Sequence, residues 1–341
     1  MSSSSVIGVV VIGRNEGDRL KQCLLSLLPQ TSQIVYVDSG STDGSVELAK
    51  SLNVEVVALD MSIPFTAARA RNTGVERLIS LNAQLQYVQF VDGDCEVLPH
   101  WLEQARKTLD ENPQVVAVSG RLTERFPQKT LYNYLVNMEW QAPLGEVLSC
   151  GGLSMMRIEA LQAVGGFNPS LIAGEEPELC IRLREKGGKI LRIDADMALH
   201  DADMTQFSQW WKRNVRGGHS FAQVISVHSQ TPKLYQHKER RSIWLWAFTV
   251  PLLAFGLSWF THGWSLLLLG GYGVLIWRIY RYQRSQLFTH KDALIYAIFC
   301  LLGRFPQLQG QLIFYRNAWL GKRATLIEYK GTNATPIPKN N

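Results

Sequence analysis

Cysteine is scarce and ungrouped in this chain. The five in 341 residues are Cys23, Cys95, Cys150, Cys180 and Cys300. No C-x-x-C occurs and the total is odd, which excludes a disulfide framework and a zinc-ligand signature and favours a reducing compartment. The opening Met1 and the four serines after it offer neither a charged stretch nor an apolar core, so no secretory leader is expected. Those serines apart, no repeat or low-complexity tract is present. No glycine-rich, cation-bearing triphosphate loop follows the first apolar run, which disfavours a nucleotidyltransferase. The net charge of +6, from 35 basic and 29 acidic residues, is modest. The aromatics that could stack bases fall mostly inside apolar segments, so no nucleic-acid partner is expected.

What is present is a series of buried strands ending in polar loops. Val6 to Ile12 is β-branched and runs into Gly13-Arg14-Asn15-Glu16. An amphipathic helix with Leu20, Leu24, Leu27 and Leu28 on one face follows. Gln33 to Asp38 reads as a second strand leaving into Ser39–Ser45, then come a helix over Ser45–Leu52 and a strand over Val54–Leu59. Strands alternating with helices predict parallel βαβ units, whose ligands bind outside the carboxyl ends of the strands. A further apolar run, Tyr87 to Val91, leaves into Asp92-Gly93-Asp94. Two carboxylates one residue apart suit a hard divalent cation that keeps positions open for phosphate oxygens, and the intervening glycine lets the turn close.

The ordered segments VVIGRNE, VDSGSTDGS, ARARNTGVE, VDGDCEVLPHWLE and GGLSMMRIEALQAVGGFNPSLIAGEEPELCIRLREKGGKI resemble family 2 glycosyltransferases of the GT-A fold, over about residues 5 to 222. The resemblance implies an inverting enzyme that uses a nucleoside-diphosphate sugar and a divalent cation, Mn²⁺ or Mg²⁺. It implies nucleotide-sugar contacts from Arg14, Asp38, Asp43, Arg71, Asn72 and Asp92. It implies metal contacts from Asp94, assisted by Asp92 and His200. Glu175-Glu176 occupies the family's Glu-Asp position, whose second member is the general base, so Glu176 is the expected base and Glu175 a rival. The departure from aspartate matters, because a glutamate reaches about one methylene further. The same acidic pair would also suit the first turn of a helix over Glu178–Lys186, where carboxylates meet the positive dipole end.

The C-terminal third differs in kind. Ile243 to Phe260 and Trp264 to Trp277 carry no formal charge. A helix of about 18 residues spans about 27 Å, near the hydrocarbon thickness of a bilayer. Thr261-His262-Gly263 reads as a turn between them, so a transmembrane hairpin is expected. Basic residues flank both segments, Lys238, Arg240 and Arg241 before and Arg278, Arg281 and Arg284 after, which puts both flanks on the cytosolic side. Ala293–Leu302 is too short to span, and Gln307–Leu320 suits the membrane surface. Gln209, Trp210, Trp211 and Arg213 resemble the Gln-x-x-Arg-Trp element of polysaccharide-making relatives in a different order, and read as an acceptor-side or interfacial group.

The expected architecture is α/β: a GT-A, Rossmann-like, mostly parallel domain over 1–225, a basic linker over 226–242, a transmembrane hairpin with interfacial helices over 243–322, and a polar tail over 323–341. The expected partners are a nucleoside-diphosphate sugar, a lipid-linked or saccharide acceptor and the cell (inner) membrane, with the catalytic domain cytoplasmic. A non-catalytic scaffold of the same fold is the alternative.

Overall fold

The computed structural model describes residues 6–141, 143–228, 235–286, 288–322 and 327–328. The polar tail expected beyond Lys322 lies almost wholly outside them. Two compact units are present, Met1–Ala202 and Asp203–Asn341. The division comes earlier than the expected residue 225, because the helix that follows Ala202 packs within the second unit.

The first unit runs β1 (Ile7–Gly13), α1 (Asp18–Leu27), β2 (Ile34–Asp38), α2 (Ser45–Ser51), β3 (Glu55–Ala58), α3 (Ala67–Leu81), β4 (Tyr87–Asp92), β5 (Cys95–Val97), α4 (Trp101–Glu111), β6 (Val115–Glu124), α5 (Leu131–Glu139), β7 (Gly145–Glu146), β8 (Ser154–Arg157), α6 (Ile158–Ala163), α7 (Glu175–Glu185) and β9 (Lys189–His200). The sheet order is β3-β2-β1-β4-β8-β6-β9-β5, with β7 also on β9. The pairs β3–β2, β2–β1, β1–β4 and β6–β9 are parallel, while β8 lies antiparallel between β4 and β6.

Helices cover both faces, which is why β1 and β2 read as unbroken apolar runs. Val9 and Val11 point to the face covered by Leu20, Leu24 and Leu27 of α1 and by Trp101 of α4. Val10, Val35 and Val37 point to the opposite face, with Leu78 of α3 and Leu179 and Leu183 of α7. Strand alternation therefore feeds two cores from one sequence run.

The second unit is helical: α8 (Phe207–Val227), α9 (Tyr235–Trp244), a π-turn over Leu245–Thr249, α10 (Val250–Gly256), a 3₁₀ segment over Trp264–Leu269, α11 (Gly270–Ser285) and α12 (His290–Trp319). The α8–α12 crossing is close. A Cβ on Gly218 would overlap the Gln307 carbonyl, and one on Gly310 would overlap that of Val215. Trp211 Nε1 donates to Gln309 Oε1 at 2.8 Å, and Trp244 Nε1 donates to Gln311 Oε1 at 2.9 Å.

The expected transmembrane hairpin is corrected here. Among the described residues no helix is long and apolar enough to cross a membrane. The first apolar segment is divided by the π-turn, followed at once by Pro251, which cannot donate to the helical ladder, and helix α10 ends at Gly256. The second segment starts as a 3₁₀ run and becomes α-helical only at Gly270, soon before Arg278, Arg281 and Arg284. Ala293–Leu302 and Gln307–Leu320, expected as separate stretches, lie on one helix, α12, which continues through Pro306.

Candidate functional site

Two loops at the carboxyl ends of β1 and β2 are stitched together. Asn15 N donates to Ser41 Oγ at 2.9 Å, and Asn15 Oδ1 accepts from Thr42 N at 2.7 Å. Asp38 is buried and shapes its own turn: Oδ2 accepts from Gly40 N and Ser41 N, and Oδ1 from the Tyr36 hydroxyl at 2.9 Å. Burial and the neighbouring Asp38 charge push the Tyr36 phenol up, so it stays a donor. Asp43 Oδ1 accepts from Ser45 N and Oγ at the start of α2. Arg14 sits in the first of these loops, in the turn after β1. These polar residues thus form a preorganised rim.

The second group is set by strand register. Cys95 of β5 pairs with His200 of β9, and on the other side of β9 His200 pairs with Glu124 of β6. His200 Nε2 therefore lies 3.5 Å from Asp94 Oδ2, and Nδ1 lies 3.5 Å from Glu124 Oε2. Glu124 is fully buried and also accepts from Ala202 N at 3.1 Å and from Asn133 Nδ2 at 3.3 Å. Trp140 packs edge-on to the imidazole, centroids 4.6 Å apart. A buried carboxylate fixing one imidazole nitrogen while the other meets a second carboxylate is how metal-binding histidines are oriented. Asp94 and His200 fit an oxygen- and nitrogen-loving divalent cation, and their ligand atoms converge with the Cys95 sulfur. Burial pushes the Cys95 thiol well up, so it is an inert packing group beside the pair.

Arg71, the fifth residue of α3, links this loop to α7. Its Nη2 donates to Asp92 Oδ1 at 3.0 Å and its Nη1 to Glu175 Oε1 at 2.6 Å, with the Phe167 ring 5.6 Å away. Burial alone would lower the pKa of the guanidinium, but the two carboxylates outweigh it and the net shift is upward. Gly152 closes over the pair: a Cβ there would lie 2.9 Å from Arg71 Nη2 and 3.3 Å from Asp92 Oδ2. Asn72 clamps a neighbouring loop, donating to Phe167 O at 2.8 Å and accepting from Phe167 N at 2.9 Å. Gly93 closes the Asp92–Asp94 turn with its N–H on Ile12 O at 2.8 Å.

Helix α7 begins at Glu175, earlier than expected, with Gly174 in the left-handed conformation before it. Both acidic residues and Pro177 fall in the first turn, where a missing N–H costs no helical bond. Their surroundings differ. Glu175 is held by Arg71, whereas Glu176 Oε1 accepts from Cys150 N at 2.6 Å and meets the thiols of Cys180 at 2.9 Å and Cys150 at 3.3 Å. Hydrogen bonding to Cys180 pulls the Cys150 thiol down, yet burial and the Glu176 charge dominate and the net shift is up. Both thiols therefore remain S–H donors to the carboxylate.

Sequence reading missed Glu124, Gly152, Cys150 and Cys180 as members of this region. Glu124 carries no motif and is found only through the β6–β9 register, whereas the loop of Cys150 and Gly152 is defined by what it covers.

In the second unit Gln209 is the capping-box partner of Gln206, accepting from Thr205 N and Gln206 N at 2.7 and 2.9 Å. Trp210 is buried against Phe299 and Phe207, and Trp211 is tied to Gln309. Arg213 lies on the same helix, α8. The structure thus gives Gln209 and Trp210 packing and capping partners within their own unit.

The family model described as Glycosyl transferase family 2 matches residues 8–164. Glycosyltransferase AglE of Haloferax volcanii is 26% identical over 238 residues, covering 65% of this chain and 75% of that protein. Succinoglycan biosynthesis protein ExoA of Rhizobium meliloti is 30% identical over 186 residues, 50% of this chain and 54% of its own length, so the chain spans about half of that relative. The fold is shared with the mannosyltransferase PcManGT from Pyrobaculum calidifontis, solved with GDP-Man and Mn²⁺, at a TM-score of 0.57 and 17% identity over 91% of this chain and 88% of that one. Residues 8–164, the part of the first unit that carries the polar loops at the strand ends, belong to glycosyl transferase family 2.

Proposed function

We propose that this chain transfers a sugar from a nucleoside-diphosphate sugar to a saccharide or lipid-linked saccharide acceptor at the cytoplasmic face of the cell membrane, with inversion at the anomeric carbon. The observation that carries the reading is the set Asp94, Asp92, Arg71, Glu175 and Glu176 gathered at the carboxyl end of β4, in which every member but Glu176 is committed to charge partners. Glu176 receives the proton of the acceptor hydroxyl as that oxygen bonds to the anomeric carbon and the bond to the diphosphate breaks. A positioned carboxylate of this kind contributes roughly 10²–10⁴-fold. Asp94 and His200 are the residues that would hold the divalent cation, which when bound supplies positive charge against the leaving diphosphate. Arg71 holds Asp92 and Glu175 in place through its two ion pairs, leaving Glu176 to carry the proton.

The membrane half of the proposal rests on the second unit. Trp259 (87% exposed), Phe260 (79%), Trp264 (74%) and Leu267 (69%) sit together in sequence between α10 and α11. So apolar an exposed tip, with Arg240 and Arg241 before it and Arg278, Arg281 and Arg284 after it, suits shallow insertion into an anionic headgroup layer. Arg240, Arg241, Trp244 and Tyr315 line a cavity whose chemistry fits a phosphate-bearing headgroup.

The test is release of nucleoside diphosphate from a panel of UDP- and GDP-sugars with Mn²⁺ or Mg²⁺. Glu176→Gln is expected to lower turnover by roughly 10²-fold or more, with nucleotide affinity kept. Turnover that survives Glu176→Gln but not Glu175→Gln would overturn the assignment of the base.

A further inference from the structure

Cys150, Glu176 and Cys180 form a second cluster of metal-ligating side chains, separate from Asp94, Cys95 and His200. Their ligand atoms lie mutually within 4.8 Å. The two sulfurs are 3.7 Å apart. Two thiolates bound at about 2.3 Å to one tetrahedral centre stand about 3.8 Å from each other, so the sulfurs already have the spacing of a zinc site. Glu176 Oε1, at 2.9 and 3.3 Å from the two sulfurs, occupies a third corner. Ser154 is fully buried beside this cluster, and its Oγ makes no hydrogen bond of ordinary geometry among the described residues. It lies near enough to the Cys150 sulfur to act on its thiol. Cys150 itself belongs to a partly exposed loop, which gives a path from solvent.

We infer that Cys150, Cys180 and Glu176 form a second metal site, selective for a thiolate-seeking divalent cation such as Zn²⁺, whose occupation takes Glu176 out of service as the base. Binding replaces two S–H bonds by two metal–sulfur bonds and releases two protons to water, with no change of oxidation state. Sulfur ligands select Zn²⁺ or Cd²⁺ over Mn²⁺ and Mg²⁺, which prefer the oxygen and nitrogen donors of Asp94 and His200. The two sites therefore sort metals by softness, one supporting the reaction and the other stopping it. The inhibitory consequence rests on Glu176 being the base, whereas the binding does not.

Cd²⁺ titration of the full-length reduced protein, followed by the ultraviolet thiolate-to-cadmium charge-transfer band, tests the site without any activity. One equivalent is expected to produce the band in the wild type and in Asp94→Ala. Cys150→Ser and Cys180→Ser should each abolish it while circular dichroism stays native, and Glu176→Gln should weaken binding roughly tenfold or more. No band in the wild type, or a band that survives the double serine variant, overturns the site. Addition of one equivalent of Zn²⁺ to enzyme turning over with Mn²⁺ should cut nucleoside diphosphate release at least tenfold. Full turnover with the cadmium band present overturns the inhibitory role and leaves the binding site standing.

Discussion

At the scale of single residues, two buried basic side chains, one charged and one neutral, decide how much stability rests on charge. Arg71 answers two carboxylates on two different elements, with side-chain exposure of only 4%. Truncating it leaves Glu175 buried beside an empty space, and breaking a buried pair from one side costs roughly 3–5 kcal/mol. Arg71→Met should therefore lower the urea midpoint of the first unit sharply, and adding Glu175→Gln should recover much of the loss. Urea unfolding of the single and double variants measures both, and a double variant no more stable than the single one would contradict the pairing. His219 is the opposite case. It is buried in the α8–α12 crossing against Phe314, and among the described residues neither ring nitrogen has a hydrogen-bond partner. Burial lowers its pKa from 6.5 to about 4. The unfolded chain then binds the proton more readily than the folded one between those two values. Stability is complete above pH 6.5 and falls as the pH drops toward 4, by about 3 kcal/mol at most. His219→Leu should flatten that slope in urea midpoints measured at pH 7 and pH 4.5. An unchanged slope would place the acid sensitivity elsewhere.

At the scale of elements, the helix crossing in the second unit depends on residues that have almost no side chain. Gly218 and Gly310 each face a carbonyl of the opposing helix, and backbone cannot step aside as a side-chain tip can. Gly310→Ala should cost about 3 kcal/mol, at the upper end of overpacking effects. Gly217→Ala, whose added methyl would meet only open space, should instead be neutral or slightly stabilising through helix propensity. Thermal melts of the two variants separate these outcomes, and equal melting temperatures would contradict the close crossing. The strands show why parts of the site were legible in the sequence. The runs Val6–Ile12, Gln33–Asp38 and Tyr87–Val91 are buried on both faces, so continuous apolarity located them to within a residue or two, and their polar exits located Asp38, Asp43, Asp92 and Asp94. The antiparallel and bulged pairings of β5 and β6 with β9 leave no periodic trace, so the grouping of Glu124 with His200 became visible only in three dimensions. Cys150 and Cys180 were read as ungrouped for the same reason, since a loop and a helix remote in sequence bring the sulfurs together.

At the scale of the whole molecule, composition alone overstated the C-terminal apolar segments. Counting uncharged residues from Ile243 to Phe260 suggested a spanning helix, but the count is blind to the π-turn, to Pro251 and to the 3₁₀ start of the second segment. What those segments share with a membrane protein is exposed apolar surface, and that has its own test. Trp259→Ser with Phe260→Ser should lower binding to vesicles of anionic phospholipid at least tenfold in sedimentation while leaving the urea midpoint in place, because both side chains are exposed. Unaltered vesicle binding would contradict shallow insertion at this tip. The central claim is that the strand-end loops of the first unit hold a nucleoside diphosphate together with a divalent cation at Asp94 and His200. The direct measurement is the thermal stabilisation of the full chain by UDP, GDP and their sugars, with and without Mn²⁺, in the wild type and in Asp94→Ala. A ligand at about a hundred times its dissociation constant adds roughly 2.7 kcal/mol to the stability. The account predicts a metal-dependent rise with one nucleotide that Asp94→Ala abolishes; no rise with any nucleotide, or a rise indifferent to both metal and Asp94, would contradict it.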